Sequence, residues 1–170
     1  AEDLERVMDL ESDRFQNLKY AERDFQTEAG AVYGEYRKSR TEPEFALDEA
    51  LMAKAFDKHP YGHTTMGFER DIQDMPKLYD YSRTFFSRYY RPDNTVLLIA
   101  GGVQASQVFA LVEKYYGHWK RGYVPPQIPV EPEQKAERRV DVQYDGQTLP
   151  IVRIEYKLPA FEPANKSVVA

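Results

Sequence analysis

Two glutamates are spaced as if for chemistry. Glu28 and Glu35 lie seven residues apart in the segment Phe25-Gln-Thr-Glu-Ala-Gly-Ala-Val-Tyr-Gly-Glu-Tyr36. Seven residues is close to two helical turns, so both carboxylates face the same way, about 10 Å apart along the axis. They are too far apart to bind one ion together at ~2.0–2.2 Å, but one can ligate while the other steadies it. Small neighbours (Ala29, Gly30, Ala31, Gly34) leave room for another helix to approach. On spacing alone, two solvated glutamates on a helix face are the commoner arrangement. His59 and His63 are four apart, as two ligands on a helix would be, but Pro60 and Gly62 interrupt them and make the segment a turn. His118 follows a helix C-terminus, where the dipole favours it.

The elements that must hold these residues follow from periodicity. Leu4, Val7, Met8, Phe15 and Leu18 fall at helical spacing, as do Phe25, Ala29, Val32 and Tyr36. Thr41-Glu42-Pro43-Glu44 has the form of a capping box and opens a third helix through Phe56. His59-Pro60-Tyr61-Gly62 ends it. Asp74, with Pro76 behind it, is placed to cap a fourth helix whose buried stripe would be Leu78, Tyr81, Phe85 and Tyr89. Then the pattern changes. Thr95–Ala100 is an apolar run of strand length, expected to be buried on both faces. A helix carries Val108, Leu111, Val112 and Tyr115, a proline-rich connector spans Pro125–Pro132, and residues 140–144 and 152–158 alternate as two half-buried strands. Helices first, then strands around a helix, predict one α+β domain with helices on one face of a sheet. The helical part is about 1–91 and the strand-helix-strand-strand part about 92–160.

Composition narrows the function. The 170 residues are 42% apolar and 30% charged, with no cysteine and three histidines. Disulfide frameworks, cysteine-based zinc sites and thiol nucleophiles are therefore excluded. No apolar run approaches the ~18–20 residues of a membrane-spanning helix. Tyr79–Arg91 interleaves aromatics with arginines, as single-strand binders do. Its aromatics keep helical core spacing, however, and the net charge of −5 opposes nucleic-acid binding. Residues 1–50 hold 14 acidic and 7 basic residues, the ordinary mark of solvated helix faces.

Read in order, five segments resemble the pitrilysin/insulinase-type zinc metallopeptidases, or inverzincins, which include the mitochondrial processing peptidase. Leu10-Glu11-Ser-Asp13-Arg14-Phe-Gln-Asn17-Leu18 is similar to the family's L-E-x-D-R-x-x-N-L helix. Glu28-Ala-Gly-Ala-Val32-Tyr-Gly-Glu35 is similar to its E-x-x-x-V-x-x-E helix. His59-Pro60-Tyr61-Gly62 with Gly67 and Asp71-Ile72 resembles its H-P-Y-G loop. Tyr89-Tyr90-Arg91-Pro92-Asp93-Asn94 and Glu113-Lys114-Tyr115-Tyr116-Gly117-His-Trp119 complete the order. One departure is Gly102, where the family commonly has Asp.

The resemblance implies a truncated half of the LuxS/mitochondrial-processing-peptidase-like metallohydrolase type, with a mostly antiparallel or mixed sheet. It assigns Glu35 as the third zinc ligand and Glu28 as a supporting carboxylate. The other ligands and the general base belong to an H-x-x-E-H motif expected upstream of Ala1, so no catalytic residue is expected within these 170. Lys166–Ala170 reads as the start of a further apolar segment cut short. Zinc is expected in the intact parent and not tightly bound to this stretch. The implied partners are a peptide substrate and a homologous second half or subunit, without nucleic acid or membrane span. The implied activity is metal-assisted peptide hydrolysis; the rival is a non-catalytic half or core-subunit scaffold. Family resemblance alone leans toward the bacterial periplasm.

Overall fold

A computed structural model describes residues 3–158. Among them are six α-helices: α1 (Leu4–Asn17), α2 (Glu22–Ser39), α3 (Pro43–Ala55), α4 (Glu69–Asp74), α5 (Tyr79–Tyr89) and α6 (Ala105–Tyr116). Short 3-10 turns lie at Met75–Lys77 and Pro92–Asn94.

Helices α1, α2, α4 and α6 each bury part of the stripe their sequence supplies. Met8 and Ser12 are the buried positions of α1, which lies against α6 and its buried Leu111. Gln16 pins that pair by donating to the Tyr115 carbonyl at 3.0 Å, and Glu5 accepts from Lys114 at 2.6 Å and from Tyr115 at 3.1 Å. Helix α2 packs against α4, the Met75–Lys77 turn and the start of α5. Tyr20, Phe25 and Tyr79 form an aromatic cluster there, with ring centroids 5.8–6.1 Å apart. Phe15 bridges toward the far side by meeting Tyr90 and Trp119.

The expected α+β fold is not what forms. Among the described residues there is no strand and no sheet, so the described portion of the part predicted as strand-helix-strand-strand over 92–160 contains the Pro92–Asn94 turn, α6 and irregular chain. Thr95 has extended dihedrals, yet Val96 is 94% exposed and Leu98 88% exposed, the opposite of burial on both faces. Periodicity reports what a segment would bury, not whether a neighbour is there. A strand is completed only by ladder hydrogen bonds to another strand, and residues 95–100, 140–144 and 152–158 make none with each other. The expected apolar segment at Lys166–Ala170 lies outside the described residues.

Smaller differences have local causes. Thr41 does not cap α3. Its hydroxyl donates back to the Lys38 carbonyl at 2.7 Å, and Glu42 occupies the cap position with Pro43 beginning the helix. The helix expected from Asp74 onward is instead the Met75–Lys77 turn followed by α5, with the short α4 ending at Asp74 where a loop was expected, because Pro76 cannot donate the backbone bond a continuous helix requires. Its predicted buried stripe is open: Leu78, Tyr81 and Phe85 are all exposed.

Candidate functional site

The residues singled out for chemistry ride on α2. Its first turn carries Glu22 and Asp24 and its last turn Arg37 and Lys38, which matches the helix dipole at both ends. Ala29 and Tyr36 are its two buried side chains, seven residues apart. Glu28 and Glu35 each precede one of them by one residue. One residue is 100° of rotation, so the glutamates form a parallel row turned outward, and both are exposed. Neither has a hydrogen bond or ion pair with any described residue.

Beneath this row sits a polar cluster that sequence reasoning did not single out. Tyr36 is 1% exposed. Its hydroxyl donates to Glu49 of α3 at 2.6 Å and, more weakly, toward Glu69 of α4 at 3.4 Å. Arg40 donates to the same phenol oxygen at 3.1 Å and to Glu49 at 2.8 Å, and lies 3.6 Å from Glu69. Burial, reinforced by the hydrogen bond to Glu49, pushes the phenol up to about 12. It is therefore a permanent donor. Tyr33 and Tyr36 stack at 6.4 Å, and Phe45 meets Tyr36 edge-on at 5.9 Å. Only the Tyr36–Arg40 spacing of four was visible in the sequence; Glu49 and Glu69 come from other helices.

The histidines are turn residues. His59 Nδ1 accepts the Tyr61 N–H at 3.2 Å, and its ring packs edge-on against Tyr61 at 4.4 Å and tilted against Phe56 at 5.8 Å. His63 Nδ1 lies 2.6 Å from the Thr64 carbonyl, and its ring sits against Phe68. His118 is exposed beyond α6.

A second unforeseen feature holds the His59 turn. Glu131, from the proline-rich connector, accepts the N–H groups of Asp57, Lys58 and His59, each at 2.9 Å, and pairs with Lys157 at 3.1 Å. Burial acts to raise its pKa, but those three donors and the ammonium outweigh it and hold the carboxyl at about 2. Arg138 fastens the neighbouring end of α3 by donating to the carbonyls of Lys54 and Ala55 and to Asp57.

Among the described residues, no three His, Asp or Glu side chains converge to hold a metal ion. The donor set fits one ligand position, the open carboxylate of Glu35 with Glu28 two turns behind it, and not a whole tetrahedral site.

Known proteins resemble this chain over most of its length. Residues 78–168 match the family described as "Peptidase M16 inactive domain". The zinc protease PqqE of Helicobacter pylori is 33% identical over 164 residues, covering 94% of this chain and 36% of that protein. The mitochondrial-processing peptidase subunit beta of Caenorhabditis elegans is 28% identical over 121 residues, covering 71% of this chain and 26% of that one. Among solved structures, a protease from Helicobacter pylori superposes with a TM-score of 0.70 at 29% identity, over 81% of this chain and 34% of that one. The chain thus spans about a third of the Helicobacter pylori protein. The family match begins after α2, whereas the alignment to PqqE runs through it.

Proposed function

The chain belongs to the M16 peptidase family, and from that premise we propose that it forms part of a zinc-dependent endopeptidase, supplying one metal ligand and a share of the cleft scaffold. Glu35 is the ligand and Glu28 the carboxylate that steadies it. The observation that carries this reading is the outward row of two uncommitted carboxylates on α2, in a chain whose relatives include proteins named zinc proteases. Zinc bound there would supply an activated water and a polarised scissile carbonyl. This chain's own task is narrower: to hold an anionic oxygen ligand in a fixed direction and leave the rest of the coordination sphere to donors outside it. The substrate class is peptide, and the partner that completes the cleft is a homologous half or subunit. By this reading the chain hydrolyses nothing alone.

The test is Glu35→Gln in the M16 protein that carries this chain. Metal content and peptide hydrolysis are expected to fall together by at least about tenfold, with Glu28→Gln showing a smaller loss of the same kind. A fully metallated, active Glu35→Gln protein removes Glu35 from the site.

A second reading is favoured by the family match itself, whose description is of an inactive domain. The chain would then be a scaffold half that binds no metal. A purified M16 protein without zinc, indifferent to both substitutions, establishes that alternative.

A further inference from the structure

Glu35 precedes the most deeply buried side chain of its helix, and the cluster around that side chain constrains where Glu35 can point. We propose that Tyr36 is a positioning residue for Glu35. Its phenol, wedged between Glu49 of α3 and Glu69 of α4 and gripped by Arg40, fixes the rotation of α2 about its own axis. The inference rests on the reading of Glu35 as a zinc ligand.

The argument is geometric. A side-chain tip on a helix lies about 5–6 Å from the axis, so a rotation of only about 5° moves the Glu35 carboxylate about 0.5 Å. Metal–ligand distances tolerate about 0.2 Å. Something must therefore hold α2 in azimuth more firmly than ordinary apolar packing does. Near Glu35 the apolar hold comes mainly from Phe45 against the Tyr36 ring; Ala29 is the only other buried side chain of the helix, and the rings around Phe25 lie about three turns away.

The directional contacts are densest at Tyr36. Its O–H donates to Glu49 at 2.6 Å, while Arg40 donates to the phenol oxygen at 3.1 Å and braces that same Glu49 at 2.8 Å. A second strand of the cluster repeats the linkage one turn earlier. Gln73 donates to the Tyr33 hydroxyl at 3.1 Å and to Glu69 at 3.2 Å. Tyr33 and Tyr36 thus tie one side of α2 to both α3 and α4, while Glu28 and Glu35 occupy the outward row. Removing one hydroxyl leaves the rings packed and loosens the direction.

The experiment compares Tyr36→Phe, Glu35→Gln and Ser12→Ala in the M16 protein that carries this chain. The readouts are zinc affinity by competition against a chromogenic chelator, and melting temperature. Ser12 is the control: its buried hydroxyl donates to Asp9 within α1, a helix packed on α6. Tyr36→Phe is expected to weaken zinc binding about tenfold, the usual scale for a group that orients a ligand. Ser12→Ala is expected to lower the melting temperature without changing zinc affinity. If Glu35→Gln binds zinc normally, the ligand reading itself falls and this inference with it. If Glu35→Gln loses zinc while Tyr36→Phe binds it as the parent does, only the positioning role is overturned. The same holds if Ser12→Ala weakens zinc as much as Tyr36→Phe does. Should Tyr36→Phe fail to fold, Glu49→Leu removes the acceptor, retains the phenol and carries the same expectation.

Discussion

Three successive N–H groups, those of Asp57, Lys58 and His59, converge on the one carboxylate of Glu131. Because the folded carboxyl titrates at about 2 and an ordinary glutamate at 4.5, its contribution has a definite pH window. It is fully present above about pH 4.5 and is lost as pH falls toward 2. Glu131→Gln is therefore expected to melt below the parent at pH 7, with the gap closing between pH 4.5 and 2. Thermal melts across that range check this, and a gap independent of pH would contradict it. At this scale the sequence was partly legible. The outward Glu28–Glu35 row follows from spacing, and the turn role of His59 and His63 from Pro60 and Gly62. The partners of Tyr36 and Glu131 do not follow from any local pattern, because they lie 13, 33 and 72–74 residues away.

Helices were legible as elements because their evidence is local: α1, α2, α3, α5 and α6 each repeat an apolar stripe within one segment. The three strand-like segments failed for the reason that their completion is not local. Helix α2 carries a further consequence. Gly30 and Gly34 sit in its interior, and a methyl group built at either meets nothing within 4 Å. Glycine in a helix interior costs roughly 0.5–1 kcal/mol relative to alanine. Gly34→Ala is thus expected to stabilise this chain by about that amount in urea denaturation. If the same substitution lowers zinc affinity or peptide hydrolysis in the M16 protein, the bare backbone is needed for the close approach of a neighbouring segment. A destabilised Gly34→Ala chain would show that α2 is already packed on that face.

The whole molecule exposes 13854 Å², against roughly 8,600 Å² for a compact monomer of this mass. Among the described residues, buried apolar positions are few: Met8, Ala29, Tyr36, Ile72 and Leu111. Val96, Leu98, Val130, Leu149, Val152 and Tyr156 meanwhile face outward, and unpaired extended apolar chain of this kind invites association. Alone, the chain is expected to bind the dye ANS strongly, to unfold with a shallow, weakly cooperative transition, and to show no stoichiometric zinc complex by calorimetry. A sharp melt without dye binding would contradict the first pair, and a tight one-to-one zinc complex the third. Against so open a surface, the grip of Glu131 and Arg138 on the end of α3 acquires a mechanical meaning. Residues 59 to 131 become a closed circuit fastened at Glu131, and Lys157 joins that same fastening. Three stretches distant along the polypeptide, the His59 turn, the connector and the segment at Lys157, thus share a single carboxylate as their common anchor.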